Sequence, residues 1–240
     1  MPQAASVSLP AEAQKQRSSR PVLQIIGTSI WMIGSLFLAA GRLNWTRGWI
    51  CVAAWLACMP VVGLISHHYN PGLMRERAKW RRKDTKSFDK IFMAVYLPLV
   101  LAQPIVGGLD AVRYRWSALP FSWVYIGFAL YLAAGALISW VLSINPYAES
   151  TVRIQTDRGH TVVTKGPYRI VRHPMYVGAA LTYFGTPLIL GSVWALVLGC
   201  VITVLFVVRT AFEDHALRRE LPGYEEYSSR TRYRLVPGVW

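Results

Sequence analysis

Four apolar stretches, each close to the thickness of a bilayer's hydrocarbon core when wound as a helix, leave this chain of 240 residues few ways to fold. Residues 22–41, 48–69, 91–109 and 121–144 approach or exceed the ~20 helical residues that one span takes. Backbone polar groups find no water inside a bilayer, so runs of this kind close their hydrogen bonds internally as helices. Two shorter apolar runs follow, at 177–190 and 193–208, parted by Gly191 and Ser192. At 1.5 Å per residue each would rise only about 20 to 25 Å, enough for a tilted or partly sunken hairpin. The expected fold is therefore an all-α integral membrane protein with five or six transmembrane helices, ending in a helical hairpin.

Three sections follow from this pattern. Residues 1–20 are polar and are expected to be a disordered N-terminal segment. Residues 21–144 form a four-helix scaffold interrupted by a basic loop at 70–90, and residues 145–240 hold the polar motifs. The chain has 26 Lys and Arg against 12 Asp and Glu, a net charge of +14. Short loops rich in Lys and Arg stay on the cytoplasmic side. Placing the N-terminus there gathers eight basic residues between Arg75 and Lys90, five between Arg153 and Arg172, and the basic tail on one face. The charge is thus explained by topology and by contact with anionic membrane lipids. It is split among loops rather than built into one stripe, which argues against a nucleic-acid partner. A run such as 75–90 ordinarily means a solvated loop. The chain has no C-x-x-C or H-E-x-x-H spacing, so no metal site is expected, and no G-x-G-x-x-G or P-loop.

The polar residues that stand out are in GPYRIVRHPMYVG, residues 166–178, at the mouth of the hairpin. Arg172, His173 and Pro174 taken alone suit a hairpin cap, with the arginine on a lipid phosphate and the proline in the first helical turn. Tyr176, Tyr224 and Tyr227 taken alone suit an interfacial belt. The hairpin, however, returns Arg209, Glu213 and Asp214 to the same face, so His173 and Glu213 should be neighbours. Ionisable groups at the end of an apolar run point to function or mutual pairing.

Three motifs in this order, HTVVTKGPY, RHPMYVG and R-x-x-x-E-D-x-x-L followed by GYEEY, make the last hundred residues resemble the isoprenylcysteine carboxyl methyltransferase family, and NPGLMRER upstream is similar to its bacterial members. The resemblance implies S-adenosyl-L-methionine as cofactor, held in a cytoplasm-facing pocket, and a lipid-like or prenylated acceptor arriving from the bilayer. It also implies that His160, Thr161, Val162, Val163, Tyr168, His173, Pro174, Met175 and Tyr176 line that pocket. Gln155 joins them at a spacing that differs from the family's. Glu213 would be the acidic contact and Arg209 would address the acceptor, the two forming the catalytic pair. Where the family usually shows two glutamates this chain has Glu213 and Asp214.

The chemistry agrees with that set. A sulfonium, an ammonium and a carboxylate need a carboxylate and donor groups close together in a partly dry cavity. Methyl transfer to an ionised carboxylate depends on alignment and desolvation more than on a general base. Phospholipid or small-thiol methylation remains an alternative. So does an NADPH-dependent reductase of the sterol type, which shares an RHP-x-Y pocket and would need arginines such as Arg153, Arg158 and Arg169 for the 2′-phosphate. A non-catalytic protein with a degenerate pocket is the third.

Overall fold

The computed structural model describes residues 11–79 and 82–240, the side chains of 11–21 excepted. Helix α1 (Ala11–Ala40) begins ten residues before the expected end of the polar segment, and the first ten residues of that segment lie outside the described ones. Then come α2 (Thr46–Tyr69), a short α3 (Leu73–Arg77), α4 (Ser87–Gly108) running into a π-helical turn at Leu109–Arg113, and α5 (Trp123–Ile144). After a long loop with 3-10 turns at Thr156–Arg158 and Gly166–Arg169 follow α6 (Pro174–Leu190), α7 (Val193–Glu220) and α8 (Tyr224–Arg230). No strand occurs among the described residues. Among the described residues five helices are long and apolar enough to cross a membrane, α1, α2, α4 with its π-turn, α5 and α7, and α6 is a shorter apolar helix of 17 residues. The protein is a multi-pass membrane protein.

The hairpin turns where the sequence places it. Gly191 takes φ +80°, a left-handed conformation that closes α6, and the Ser192 hydroxyl accepts the Ala195 amide at 2.9 Å to open α7. The expected length of the second arm is corrected: α7 runs 28 residues, about 42 Å, because RTAFEDHALRRE continues the helix beyond the apolar run.

Helices α5 and α6 meet backbone to backbone. A Cβ placed on Gly127 would stand 2.6 Å from the Gly185 carbonyl oxygen, and one on Gly185 would stand 2.7 Å from that of Gly127. Small residues permit such approach where water supplies no driving force between helices. The long loop 145–173 is therefore strung between two helices held tightly together.

A polar residue recurs every seventh position along α4: buried Asp89, half-buried Tyr96, buried Gln103 and, in the π-turn, buried Asp110. Tyr96 and Tyr183 of α6 join hydroxyl to hydroxyl. Gln103 donates to the carbonyls of Tyr183 and Ala195, both at 3.3 Å. Asp110 accepts the Ser192 hydroxyl at 2.5 Å and the Trp194 amide at 3.0 Å, capping α7. This seam fastens α4 to the hairpin along its whole length.

Candidate active site

At the end of the bundle where α5 stops, loop 145–173, the start of α6, the last turns of α7 and α8 surround a cavity with about 840 Å³ of empty space, its open mouth included. Asn145 starts the loop. Its Oδ1 accepts the Tyr147 amide at 2.8 Å and its Nδ2 donates to the Tyr168 hydroxyl at 2.6 Å. Burial pushes the Tyr168 phenol above its usual range, so it stays protonated.

The loop is pinned from both flanks. The Val152 amide donates to Asp89 Oδ2 at 2.7 Å and its carbonyl accepts the Lys86 amide at 3.1 Å. Glu149, its side chain almost wholly buried, pairs with Arg153 at 3.0 Å and with Arg82 and Arg158 at 3.3 Å each. Arg153 also meets Asp84 and Asp157, and its hydrogen bond to Glu149 holds its guanidinium above the ordinary range. Arg77 donates to the Ala148 carbonyl at 2.5 Å. The basic stretch read as a solvated loop is thus corrected in part: around Trp80 and Arg81, which lie outside the described residues, it clamps the site loop.

Gln155 is buried, donates to the Tyr147 carbonyl and accepts from Arg158, each at 2.7 Å. His160 lies with its ring 4.5 Å from that of Tyr147, and its Nδ1 accepts the Gln155 amide at 3.4 Å. Burial lowers its pKa, while the Glu213 carboxylate opposes that shift.

The far wall is built on α6 and α7. Glu213 accepts the Tyr176 hydroxyl. The Arg209 guanidinium lies over the rings of Phe92 at 4.5 Å and Tyr176 at 5.2 Å, pairs with Asp89 at 2.8 Å and donates to the Ser150 carbonyl at 2.9 Å. His173 stacks parallel to Tyr176, with 5.8 Å between ring centroids, and it pairs with Asp214 at 3.5 Å rather than with Glu213. The expected His173–Glu213 neighbourhood is one of shared cavity walls, because consecutive residues on α7 point about 100° apart.

Asp214 instead organises the roof. Its buried carboxylate takes both the Nε and Nη2 of Arg172, at 2.7 and 3.1 Å, with Arg234 Nε at 3.1 Å, Arg218 Nε at 3.3 Å and the Tyr224 hydroxyl at 2.9 Å. Arg172 Nη1 donates to the carbonyls of Thr231 and Arg232, at 2.8 and 2.7 Å. Its donors are fully engaged in tying the tail to α7, so it is not the free cation that a ligand carboxylate would need. Tyr224 and Tyr227 are buried over the cavity, not set in an interfacial belt.

Of the residues expected to line the pocket, Gln155, His160, Thr161, Val162, Val163, Tyr168, His173, Met175, Tyr176, Arg209 and Glu213 all do. Pro174 does not: it is buried at the first position of α6 and sets the direction of that helix. Asp89, Asn145 and Glu149 escaped the sequence reading, and Tyr224 and Tyr227 entered it only as belt aromatics and as part of GYEEY. The signal for Asp89 was the seven-residue polar spacing in α4.

Residues 123–222 match the family model described as phospholipid methyltransferase. The matched stretch runs from the start of α5 past the end of α7 and contains Arg209, Glu213 and every pocket-lining residue foreseen from the sequence. The protein-S-isoprenylcysteine O-methyltransferase B of Arabidopsis thaliana is 32% identical over 81 residues, 33% of this chain. The matched segment spans 41% of that relative's length. The roof residues Tyr224 and Tyr227 line the cavity from outside the matched stretch, and Asp89, behind the cavity wall, lies outside it too.

Proposed function

We propose that this protein is an integral membrane methyltransferase that moves a methyl group from S-adenosyl-L-methionine to the carboxylate of an amphiphilic acceptor, an S-prenylated cysteine being the best fit. Arg209 and Glu213, one helical turn apart where the cavity meets the apolar interior, carry the reading. The charge bias of the loops supports a cytoplasmic side for this end of the bundle and for the N-terminus.

The residues present suit that cofactor. Glu213 offers a carboxylate, His160 to Val163 an extended wall, and Tyr168 and Tyr176 aromatic faces, over which a cation is favoured by roughly 0.5 to 2 kcal/mol. When bound, the cofactor supplies an electrophilic methyl group. Arg209 holds the acceptor carboxylate by a charge-assisted hydrogen bond and orients one oxygen for in-line attack. No proton has to move from an acceptor already ionised, so the chain needs no general base. The roof excludes water, which leaves that oxygen poorly solvated and more nucleophilic.

The arginines that a nucleotide 2′-phosphate would require are differently engaged. Arg153 and Arg158 are paired with Glu149, and Arg169 is exposed off this cavity. This favours the methyl donor over NADPH. Titration of the detergent-purified protein with S-adenosylhomocysteine should give saturable binding that Glu213→Ala and His173→Ala weaken, and NADPH should give none. Selective NADPH binding would overturn the reading in favour of reduction.

A further inference from the structure

Asp89 is fully buried in the first turn of α4, in a helix otherwise composed to cross a membrane. A carboxylate there is costly to desolvate unless it is paired and hydrogen-bonded. Both oxygens are engaged, and on different structures. Oδ1 forms an ion pair with Arg209 Nε at 2.8 Å, a charge contact without hydrogen-bond alignment, and Oδ2 accepts the Val152 amide at 2.7 Å. Arg209 reaches the same stretch of loop through the Ser150 carbonyl at 2.9 Å and is sandwiched between Phe92 and Tyr176. Two edges of the guanidinium are thereby fixed. Nη1 is left without a protein partner among the described residues, on a side chain that lines the cavity.

We infer that Asp89 is a positioning residue: one buried carboxylate aims Arg209 at the acceptor and at the same time fixes the cofactor loop at Val152, so the two halves of the site share one anchor. Arg209 on its own would have several rotamers and a long flexible stem. Held at Nε and Nη2 between two rings, it presents a single donor pair in one direction. The inference rests on the proposed methyl transfer for its catalytic consequence, and on the Val152 contact alone for its structural one.

The test uses the full chain in phosphatidylcholine nanodiscs with Asp89→Asn and Asp89→Ala. Asparagine keeps an acceptor for the Val152 amide but loses the charge facing Arg209; alanine loses both. Hydrogen exchange at Val152 should stay near wild type in D89N and rise about 10- to 100-fold in D89A, the effect of deleting one hydrogen bond to a charged group. S-adenosylhomocysteine affinity should hold within about twofold in D89N and fall about tenfold in D89A. With N-acetyl-S-farnesyl-cysteine as acceptor, KM should rise about tenfold or more in D89N, with kcat changed much less, and D89E should recover part of the loss. Unchanged exchange in D89A refutes the anchor whatever the acceptor is. Parallel losses of cofactor affinity, KM and kcat in D89N would reduce Asp89 to general scaffold. Wild-type protein that binds S-adenosylhomocysteine yet leaves this acceptor untouched counts against the proposed acceptor, and the exchange and affinity arms still decide the anchor.

Discussion

Replacing Asp214 by Asn removes one negative charge from a site where three arginines converge and leaves the side chain's shape nearly intact. Arg172 is itself buried and makes a two-point contact, so it cannot turn to solvent, whereas Arg218 and Arg234 are partly exposed and will relax toward water. The loss is therefore dominated by the Arg172 pair. Breaking a buried pair by neutralising one partner costs about 3 to 5 kcal/mol. Arg172 Nη1 keeps its bonds to the Thr231 and Arg232 carbonyls, which places the expected value at the lower end, ~3 kcal/mol. At 1.4 kcal/mol per factor of ten, local opening of the roof becomes roughly 100-fold more frequent. Hydrogen exchange followed by mass spectrometry reads this directly. Amides of α8 and of the tail that returns to Arg172 and His173 should exchange about two orders of magnitude faster in D214N, with α2 and α5 unchanged. S-adenosylhomocysteine should bind more weakly, because Tyr224 and Tyr227 roof its cavity. Exchange in residues 224–235 within threefold of wild type would refute the view of Asp214 as the roof's organising charge.

Two shorter predictions follow from other contacts. Burial holds the His160 pKa below its ordinary 6.5, so the folded loop favours the neutral ring. The loop's stability is complete above that ordinary value and is lost as pH falls from there through the depressed native pKa. Carbon-13 histidine NMR should place the His160 midpoint below 6.5 and Glu213→Gln should lower it further, since that carboxylate opposes the shift; a midpoint at or above 6.5 contradicts the packing described. Gly127→Ala should lower the detergent melting temperature through overpacking of about 1 to 3 kcal/mol against the Gly185 carbonyl, and an unchanged melting curve would mean that α5 and α6 do not lock there.

The long helices were legible because a bilayer enforces a single pattern, an uninterrupted apolar run of fixed length. Where that pattern stops the reading shortened α7, because hydropathy falls at Arg209 while the helix goes on: Arg209, Glu213 and Leu217 recur every fourth position and share the cavity-facing side. Motif order brought the right loop to the right place. It also named Glu213 as the acidic contact, and Glu213 does line the cavity, but it gave Asp214 no task of its own, since the rotation of α7 against α6 decides what the second carboxylate meets. The buried ion pair of Asp89 with Arg209 joins residues far apart in sequence, and a single Asp in an apolar run carries no mark of its partner. The clamp between 77–84 and 148–158 was hidden for the same reason: a loop of eight basic residues looks like solvent-facing charge until the buried Glu149 that draws it inward is seen.

The seven-residue polar seam of α4 has a consequence for the birth of the protein. Asp89, Tyr96, Gln103 and Asp110 each have a partner in the hairpin of α6 and α7, about 80 to 120 positions further along, and translation covers that distance in roughly 4 to 24 s at 5 to 20 residues per second. During that interval α4 waits in or beside the translocon with a row of unmatched polar groups, a helix apolar enough to be admitted but not to rest. Helix α1, made earlier, already packs on α4, so a nascent chain that stalls before α7 leaves α4 seated on one side only, with Gln103 still short of the Ala195 carbonyl and Asp89 of Arg209.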